Sequence, residues 1–236
     1  MHTALVTGGT RGIGLGIARA IVASGGRVMI TGRDLAGVNA AVRSLDPGGR
    51  PASPRALGCV ADVRDRAAVD RAVAETVERL GALNVLVNNA GVGAFVDVAS
   101  MTDDTWLRVI DTNLTGAFYC TRAAIPAIKK AGGGWIINIA SLAGRNYFPN
   151  GAAYCASKAG LLAFTESLMQ EVRFDDIRVT CIMPGSVATD FDGPGQKEPA
   201  PWKLTPDDVA EVVVDLLRHP PRSLPSKIEL RPAKTR

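Results

Sequence analysis

Thr7-Gly8-Gly9-Thr10-Arg11-Gly12-Ile13-Gly14 joins a short apolar run, Ala4–Thr7, to an amphipathic stretch, Gly12–Ser24. A strand that passes through glycines into a helix sets backbone N–H groups at the positive end of that helix, where a pyrophosphate can bind. The spacing is G-x-x-x-G-x-G and differs from the G-x-G-x-x-G dinucleotide fingerprint. What gives the loop weight is its place between a first strand and a first helix. Gly8, Thr10, Arg11, Gly12, Ile13 and Gly14 are therefore candidate cofactor contacts.

Outward from this loop, apolar β-branched runs alternate with longer helical patterns. Strands are expected at Ala4–Thr7, Arg27–Thr31, Ala56–Val60, Val85–Asn88, Trp135–Ile139, Arg178–Met183 and Lys227–Leu230. Helices are expected at Gly12–Ser24, Leu35–Leu45, Arg66–Leu80, Asp103–Lys130, Ala152–Phe174 and Pro206–Leu217. The strand runs are almost continuously apolar, as strands covered on both faces are. Such alternation implies right-handed crossovers and an α/β fold. The expectation is a single Rossmann domain over residues 1–236, a doubly wound parallel sheet of about seven strands with helices on both faces. Thr205-Pro206-Asp207-Asp208 reads as a capped helix start, and Asp34 as the cap of the second helix. The Pro/Gly-rich stretch Asp192–Pro201 reads as surface loop within a substrate loop at residues 186–205.

Composition narrows the function classes. The chain has 236 residues, 47% apolar and 21% charged, which suits a packed core and excludes disorder as the default. No apolar run approaches the ~18 residues of a membrane span, and Gly8 and Gly9 interrupt the N-terminal stretch, so a cytoplasmic protein is expected. Cys59, Cys120, Cys155 and Cys181 form no CxxC pair, which argues against zinc and disulfides. The net charge of +4 is scattered and carries no nucleic-acid module. His2 and His219 are poorly placed for catalysis, so proton transfer must use another group.

The second strand ends in Thr31-Gly32-Arg33, with no carboxylate for a ribose 2′-hydroxyl. Arg33, with Arg11 from the glycine loop, could grip a 2′-phosphate through charge-assisted hydrogen bonds. Asp34 is the rival, but it lies past the strand end and reads better as a helix cap. NADP(H) is expected over NAD(H).

Tyr154-Cys155-Ala156-Ser157-Lys158 sets a phenol and an ammonium on one helix face at i, i+4. A nearby cation favours the phenolate and makes tyrosine a usable acid/base. By spacing alone the pair could equally be solvated. Ser141 follows a strand at the end where such sheets bind ligands, and could hydrogen-bond a carbonyl. Asn113 is polar within an apolar stretch; it either serves the site or faces solvent or the preceding turn.

Taken together, these residues resemble the short-chain dehydrogenase/reductase family, in its short single-domain branch. The motifs are the glycine loop, Asn88-Asn89-Ala90-Gly91, Asn113, Ser141, the YxxxK of Tyr154 and Lys158, and Pro184-Gly185 with Thr189, covering residues 3 to 190 or so. The resemblance implies that Tyr154 is the general acid in reduction and base in oxidation, and that Lys158 assists it and holds the nicotinamide ribose. Ser141 would orient the carbonyl and Asn113 would support a water in the proton relay. Asp62 and Val63 would contact the adenine, Asn89, Ala90 and Gly91 would back the cofactor, and Pro184, Gly185, Val187 and Thr189 would flank the nicotinamide. The implied reaction is metal-free hydride transfer, and the implied assembly a homodimer or homotetramer. The chain is similar to 3-oxoacyl-acyl-carrier-protein reductases, but Glu229-Leu230-Arg231-Pro232 stands where those carry Asp-Gly-Gly, and the segment from Thr189 to Thr205 is short. A generic ketone, aldehyde or hydroxy-acid substrate therefore stands beside an acyl thioester.

Other residues carry two readings each. Tyr147 and Phe148 line the pocket or pin a loop; Trp202 belongs to a lid or anchors a surface loop. Phe118 and Tyr119 read as core or helix-interface packing, and Cys155 as a small buried filler or, if exposed, a redox-sensitive thiol beside the tyrosine. A non-catalytic NADP-binding redox sensor would need the glycine loop but not Tyr154, Lys158 and Ser141. A nucleotide-sugar epimerase would need a longer chain.

Overall fold

The computed structural model describes residues 1–48, 54–189, 191 and 201–234. Strands β1 (Thr3–Val6), β2 (Arg27–Gly32), β3 (Ala56–Val60), β4 (Val85–Asn88), β5 (Gly134–Ile139), β6 (Ile177–Pro184) and β7 (Lys227–Leu230) form one sheet in the order β3-β2-β1-β4-β5-β6-β7. Every neighbouring pair is parallel. The helices are α1 (Gly12–Ala23), α2 (Leu35–Leu45), α3 (Arg66–Leu80), α4 (Asp103–Ile110), α5 (Gly116–Lys130), α6 (Ala152–Val172) and α7 (Pro206–Arg218).

The two-residue period of a strand divides the core. Ala4 and Val6 of β1 turn to one face, where Ile17 of α1, Ala41 of α2 and Val213 of α7 cover them. Leu5 turns to the other, among Val69 of α3, Ala124 of α5 and Leu168 of α6. Leu5 is 1% exposed, a burial worth about 1.5–3 kcal/mol. Helix starts follow local chemistry. Asp34 accepts from the N–H groups of Ala36 and Gly37 at the start of α2. Thr205 and Asp208 form a reciprocal capping box on α7, with Pro206 at its first position.

The helix expected over Asp103–Lys130 is corrected. It is two helices, α4 and α5, joined by a π-helical turn at Asp111–Thr115. A π turn carries an extra residue and changes which side chains face inward. Here it turns Asn113 into the interior, 1% exposed, although the residue is polar. The helix expected to reach Phe174 leaves α-geometry at Val172 and ends in a short 3₁₀ turn. Phe118 is 40% exposed and packs across the α5–α6 boundary on Phe164, so it serves the helix interface and not the core.

A buried polar network ties the centre of the sheet to the helices beneath the site. Asn88 and Asn138 are register partners in β4 and β5. Asn88 Nδ2 donates to Asn138 Oδ1 at 2.8 Å and to Thr121 Oγ1 of α5 at 3.0 Å. Asn138 Nδ2 donates to Thr165 Oγ1 of α6 at 2.8 Å. Removing one member strips partners from groups that water cannot reach. Asn138→Ala is expected to lower unfolding free energy in urea by about 1–3 kcal/mol, with full folding retained. A change inside the error of the measurement would show that the network contributes nothing.

Candidate active site

The C-terminal ends of the strands open into a cleft of about 790 Å³. It lies where the strand order reverses between β1 and β4, so the loops after these two strands diverge and leave a crevice.

One half of the cleft is a backbone cradle. Gly8, Thr10, Arg11, Gly12 and Ile13 line it. Gly14 does not. It sits in the first turn of α1, where a Cβ would strike the Gly8 carbonyl oxygen and Asn89 Nδ2. Its role is to let α1 close on the loop. Asn89 staples that loop to β4: its Nδ2 donates to the carbonyls of Thr7 and Gly8 at 2.9 and 3.1 Å. Arg33, Asp62, Val63, Asn89, Ala90 and Gly91 also line the cleft, as do Pro184, Gly185, Val187 and Thr189. Arg11 and Arg33 are exposed there, whereas Asp34 caps α2 and does not line it. A narrow floor of backbone with two guanidinium groups at one side suits a phosphorylated dinucleotide. Sequence reading missed Arg64. Its guanidinium donates to Asp62 at 2.7 and 3.1 Å and holds that carboxyl below the usual carboxylate range. Only the i, i+2 spacing within the loop after β3 hinted at this pair.

The other half gathers the groups expected to do chemistry. Ser141, just past β5, lines the cleft, and its Oγ accepts from the Ala143 N–H at 3.1 Å. Tyr154 enters from the first turn of α6, and Lys158 follows one turn later. Lys158 Nζ lies 5.8 Å from the Tyr154 ring centre. The lysine is 5% exposed and donates to the Ile139 carbonyl at 2.8 Å. Lys158 is thus withdrawn from solvent, while the half-buried Tyr154 faces the cleft. Asn113 faces neither solvent nor the preceding turn. Its Oδ1 accepts from the Val92 N–H at 2.8 Å, and its Nδ2 donates to the Val92 carbonyl at 2.9 Å and to Ser157 Oγ at 3.0 Å. Its side chain does not line the cleft; it braces the segment after β4 against α6.

Phe148 lines the cleft, while Tyr147, 70% exposed, does not. Trp202 does not line it either, but its neighbour Lys203 does. Cys155 is buried away from the cleft, as a filler would be. Phe95 and Phe191 complete the wall around Tyr154, and no sequence motif marks them. Of the expected substrate loop, residues 190 and 192–200 lie outside the described residues, and with them all of the Asp192–Pro201 stretch except Pro201 itself.

Burial lowers Lys158 from 10.5 to about 8, because desolvation disfavours the ammonium. The unfolded chain then binds more protons than the folded chain between about pH 8 and 10.5, so this group's destabilising effect is full below pH 8 and fades as pH rises. Lys158→Met removes the buried charge. Its Tm relative to wild type, both without cofactor, is expected to be more favourable at pH 7 than at pH 10. A difference independent of pH would contradict the burial argument.

Comparison with known proteins agrees with this geometry. Residues 2–199 match the short chain dehydrogenase family. The chain is 36% identical over 222 residues to a 3-oxoacyl-acyl-carrier-protein reductase of Chlamydia pneumoniae, covering 90% of this chain and 88% of that one. An alcohol dehydrogenase from the archaeon Thermococcus sibiricus, solved with 5-hydroxy-NADP, superposes with a TM-score of 0.91 at 27% identity, over 100% of this chain and 98% of the other. A metagenomic short-chain oxidoreductase solved with NADP gives 0.85 at 35% identity, over 99% and 98%. A glycine-floored cleft at the sheet's switch point, a tyrosine and a lysine one helical turn apart beside it, and a family match over most of the length lead to one conclusion: the chain belongs to the short chain dehydrogenase family of oxidoreductases.

Proposed function

We propose that this protein is an NADP(H)-dependent reductase that interconverts a carbonyl compound and the corresponding alcohol. The observation that carries the reading is that Ser141, Tyr154 and Lys158 line one cleft continuous with the glycine loop. When bound, the cofactor supplies hydride chemistry at the carbonyl carbon. The chain's own residues bind, orient and move one proton.

The glycine loop and the N-terminus of α1 receive the pyrophosphate, Asp62 and Val63 the adenine, and Arg33 with Arg11 the 2′-phosphate. Asn89, Ala90 and Gly91 back the cofactor, and Pro184, Gly185, Val187 and Thr189 flank the nicotinamide end. NADP in the similar solved structures supports this preference. Tyr154 gives its phenolic proton to the carbonyl oxygen in reduction and takes it back in oxidation. Ser141 Oγ donates to the same oxygen and fixes its direction. Lys158 stabilises the phenolate that remains and reaches the nicotinamide ribose. Asn113 acts by holding Val92 and Ser157, and so the backbone around a relay water.

The relative from Chlamydia supports a 3-oxoacyl thioester as one substrate, with a simple ketone, aldehyde or hydroxy acid beside it. We place the substrate loop at residues 186–205, the protein in the cytoplasm, and its working form as a homodimer or homotetramer. No described helix is long and apolar enough to cross a membrane. A non-catalytic sensor is the competing reading, and turnover separates the two.

Tyr154→Phe is expected to lower kcat for NADPH-driven carbonyl reduction by about 10²–10⁴-fold, followed as loss of NADPH absorbance. Undiminished turnover would remove Tyr154 from the chemistry. Arg33→Ala is expected to raise the Kd for NADPH by about tenfold or more while leaving that for NADH nearly unchanged, since a hydrogen bond to a charged group is worth about 1.5–3 kcal/mol. A wild-type preference for NADH would overturn the cofactor assignment.

A further inference from the structure

The side chains that meet the Tyr154 ring suggest what kind of carbonyl compound it receives. Phe95 lies edge-on to Tyr154, with ring centres 5.8 Å apart and planes at 71°. Phe191 lies on another side of it, at 5.7 Å and 59°. Phe148 continues the wall from Phe95, at 5.9 Å and 45°. All three phenyls line the cleft and remain 40–45% exposed. Three half-exposed phenyl rings grouped in the wall of a cleft form apolar surface that a ligand can remove from water.

The backbone is shaped to seat these rings. A Cβ at Gly93 would come within 2.8 Å of the Phe191 ring and 3.1 Å of Phe95. A Cβ at Gly151 would come within 2.6 Å of Phe148. Two glycines on different loops thus leave room for three rings, and a side chain at either would crowd a ring out of its present place. None of the rings lies parallel to its neighbour. Tilted and edge-to-face packing is the arrangement aromatic rings prefer, and a further aromatic ring can join such a cluster with its positive edge against a negative face.

We infer that the substrate is a ketone with an aromatic ring on one arm, with Phe95, Phe148 and Phe191 as its specificity determinants. The inference rests on the reading of Tyr154 as the proton donor, since the wall surrounds that residue. With the carbonyl oxygen at Tyr154 and Ser141, the aryl arm lies among the phenyls. Reduction then gives a benzylic-type secondary alcohol: hydride goes from NADPH to the carbonyl carbon, and the Tyr154 proton to the oxygen. The phenyl rings offer the carboxylate of a short oxo acid no hydrogen bond, so this wall favours an aryl arm over a charged one. A linear acyl thioester would fill the wall without using its edge-to-face geometry.

The test is reduction by the full chain with NADPH of 1-phenylethanone, cyclohexyl methyl ketone, butan-2-one, pyruvate and acetoacetyl-CoA. The expected kcat/KM for the aryl ketone exceeds that for butan-2-one by about tenfold or more, and that for the cyclohexyl ketone, matched in size, by about threefold. Phe95→Ala and Phe148→Ala are each expected to lower the ratio of aryl ketone to butan-2-one kcat/KM severalfold. Preference for pyruvate, acetoacetyl-CoA or the cyclohexyl ketone overturns the inference and leaves the reductase reading standing. Equal loss on both ketones in the variants also overturns it. If NADPH binds and none of the five carbonyls is reduced, the reductase reading falls and this inference with it.

Discussion

The candidate site is built around an ammonium group held out of water. Lys158 is 5% exposed, and its Nζ is fixed by the Ile139 carbonyl, at the last residue of β5. A buried cation is tolerable only where dipoles replace its hydration, so the end of β5 and the first turns of α6 must keep one spacing. The neighbouring residue enforces that spacing. Asn138 donates to Thr165, seven residues beyond Lys158 on the same helix, so strand and helix are joined at two levels. Gly91 closes a third side, where an added Cβ would lie 3.7 Å from Lys158 Nζ and 3.4 Å from Asn113 Oδ1.

From this clamp the rest of the site follows by topology. Because β4 lies between β1 and β5, the loop after β4 runs beside both the glycine loop and Ser141. Asn89 bonds to the glycine loop and Asn113 braces Val92, so one segment links the glycine loop to the half of the cleft that holds Tyr154. Asn88, at the end of β4, carries the same linkage into the interior through Thr121 and Asn138. Polar side chains therefore run through the middle of an otherwise apolar sheet. Their hydrogen bonds hold β5 and α6 at the spacing that seats Lys158 in the cleft wall.

The fold was legible because its signals are local. Short apolar runs such as Arg27–Gly32 alternate with helical patterns such as Leu35–Leu45, and Asp34 and Thr205 announce helix starts through side chains that bond within a few residues. The glycine loop was legible for the same reason. Gly14 is instructive in the other direction: the loop motif includes it, yet its lack of a Cβ serves contact with Gly8 and Asn89 and not with the cleft. The break between α4 and α5 was not legible. A π turn leaves the 3.6-residue pattern almost intact in sequence, and what stabilises this one, Asn113 bonded to Val92 and Ser157, comes from two distant segments.

By itself the sequence determined the order of strands and helices, the glycine turn, the absence of an acid at the end of β2 and the single helical turn from Tyr154 to Lys158. All of these are set by backbone geometry and spacing within a few residues. Only the tertiary structure decided that Lys158 is buried against Ile139, that Arg64 holds Asp62, and that Phe95 and Phe191 meet Tyr154 with Phe148 packed on Phe95. Those relations join residues on separate loops, and the order in which the strands assemble brings such loops together at one end of the sheet.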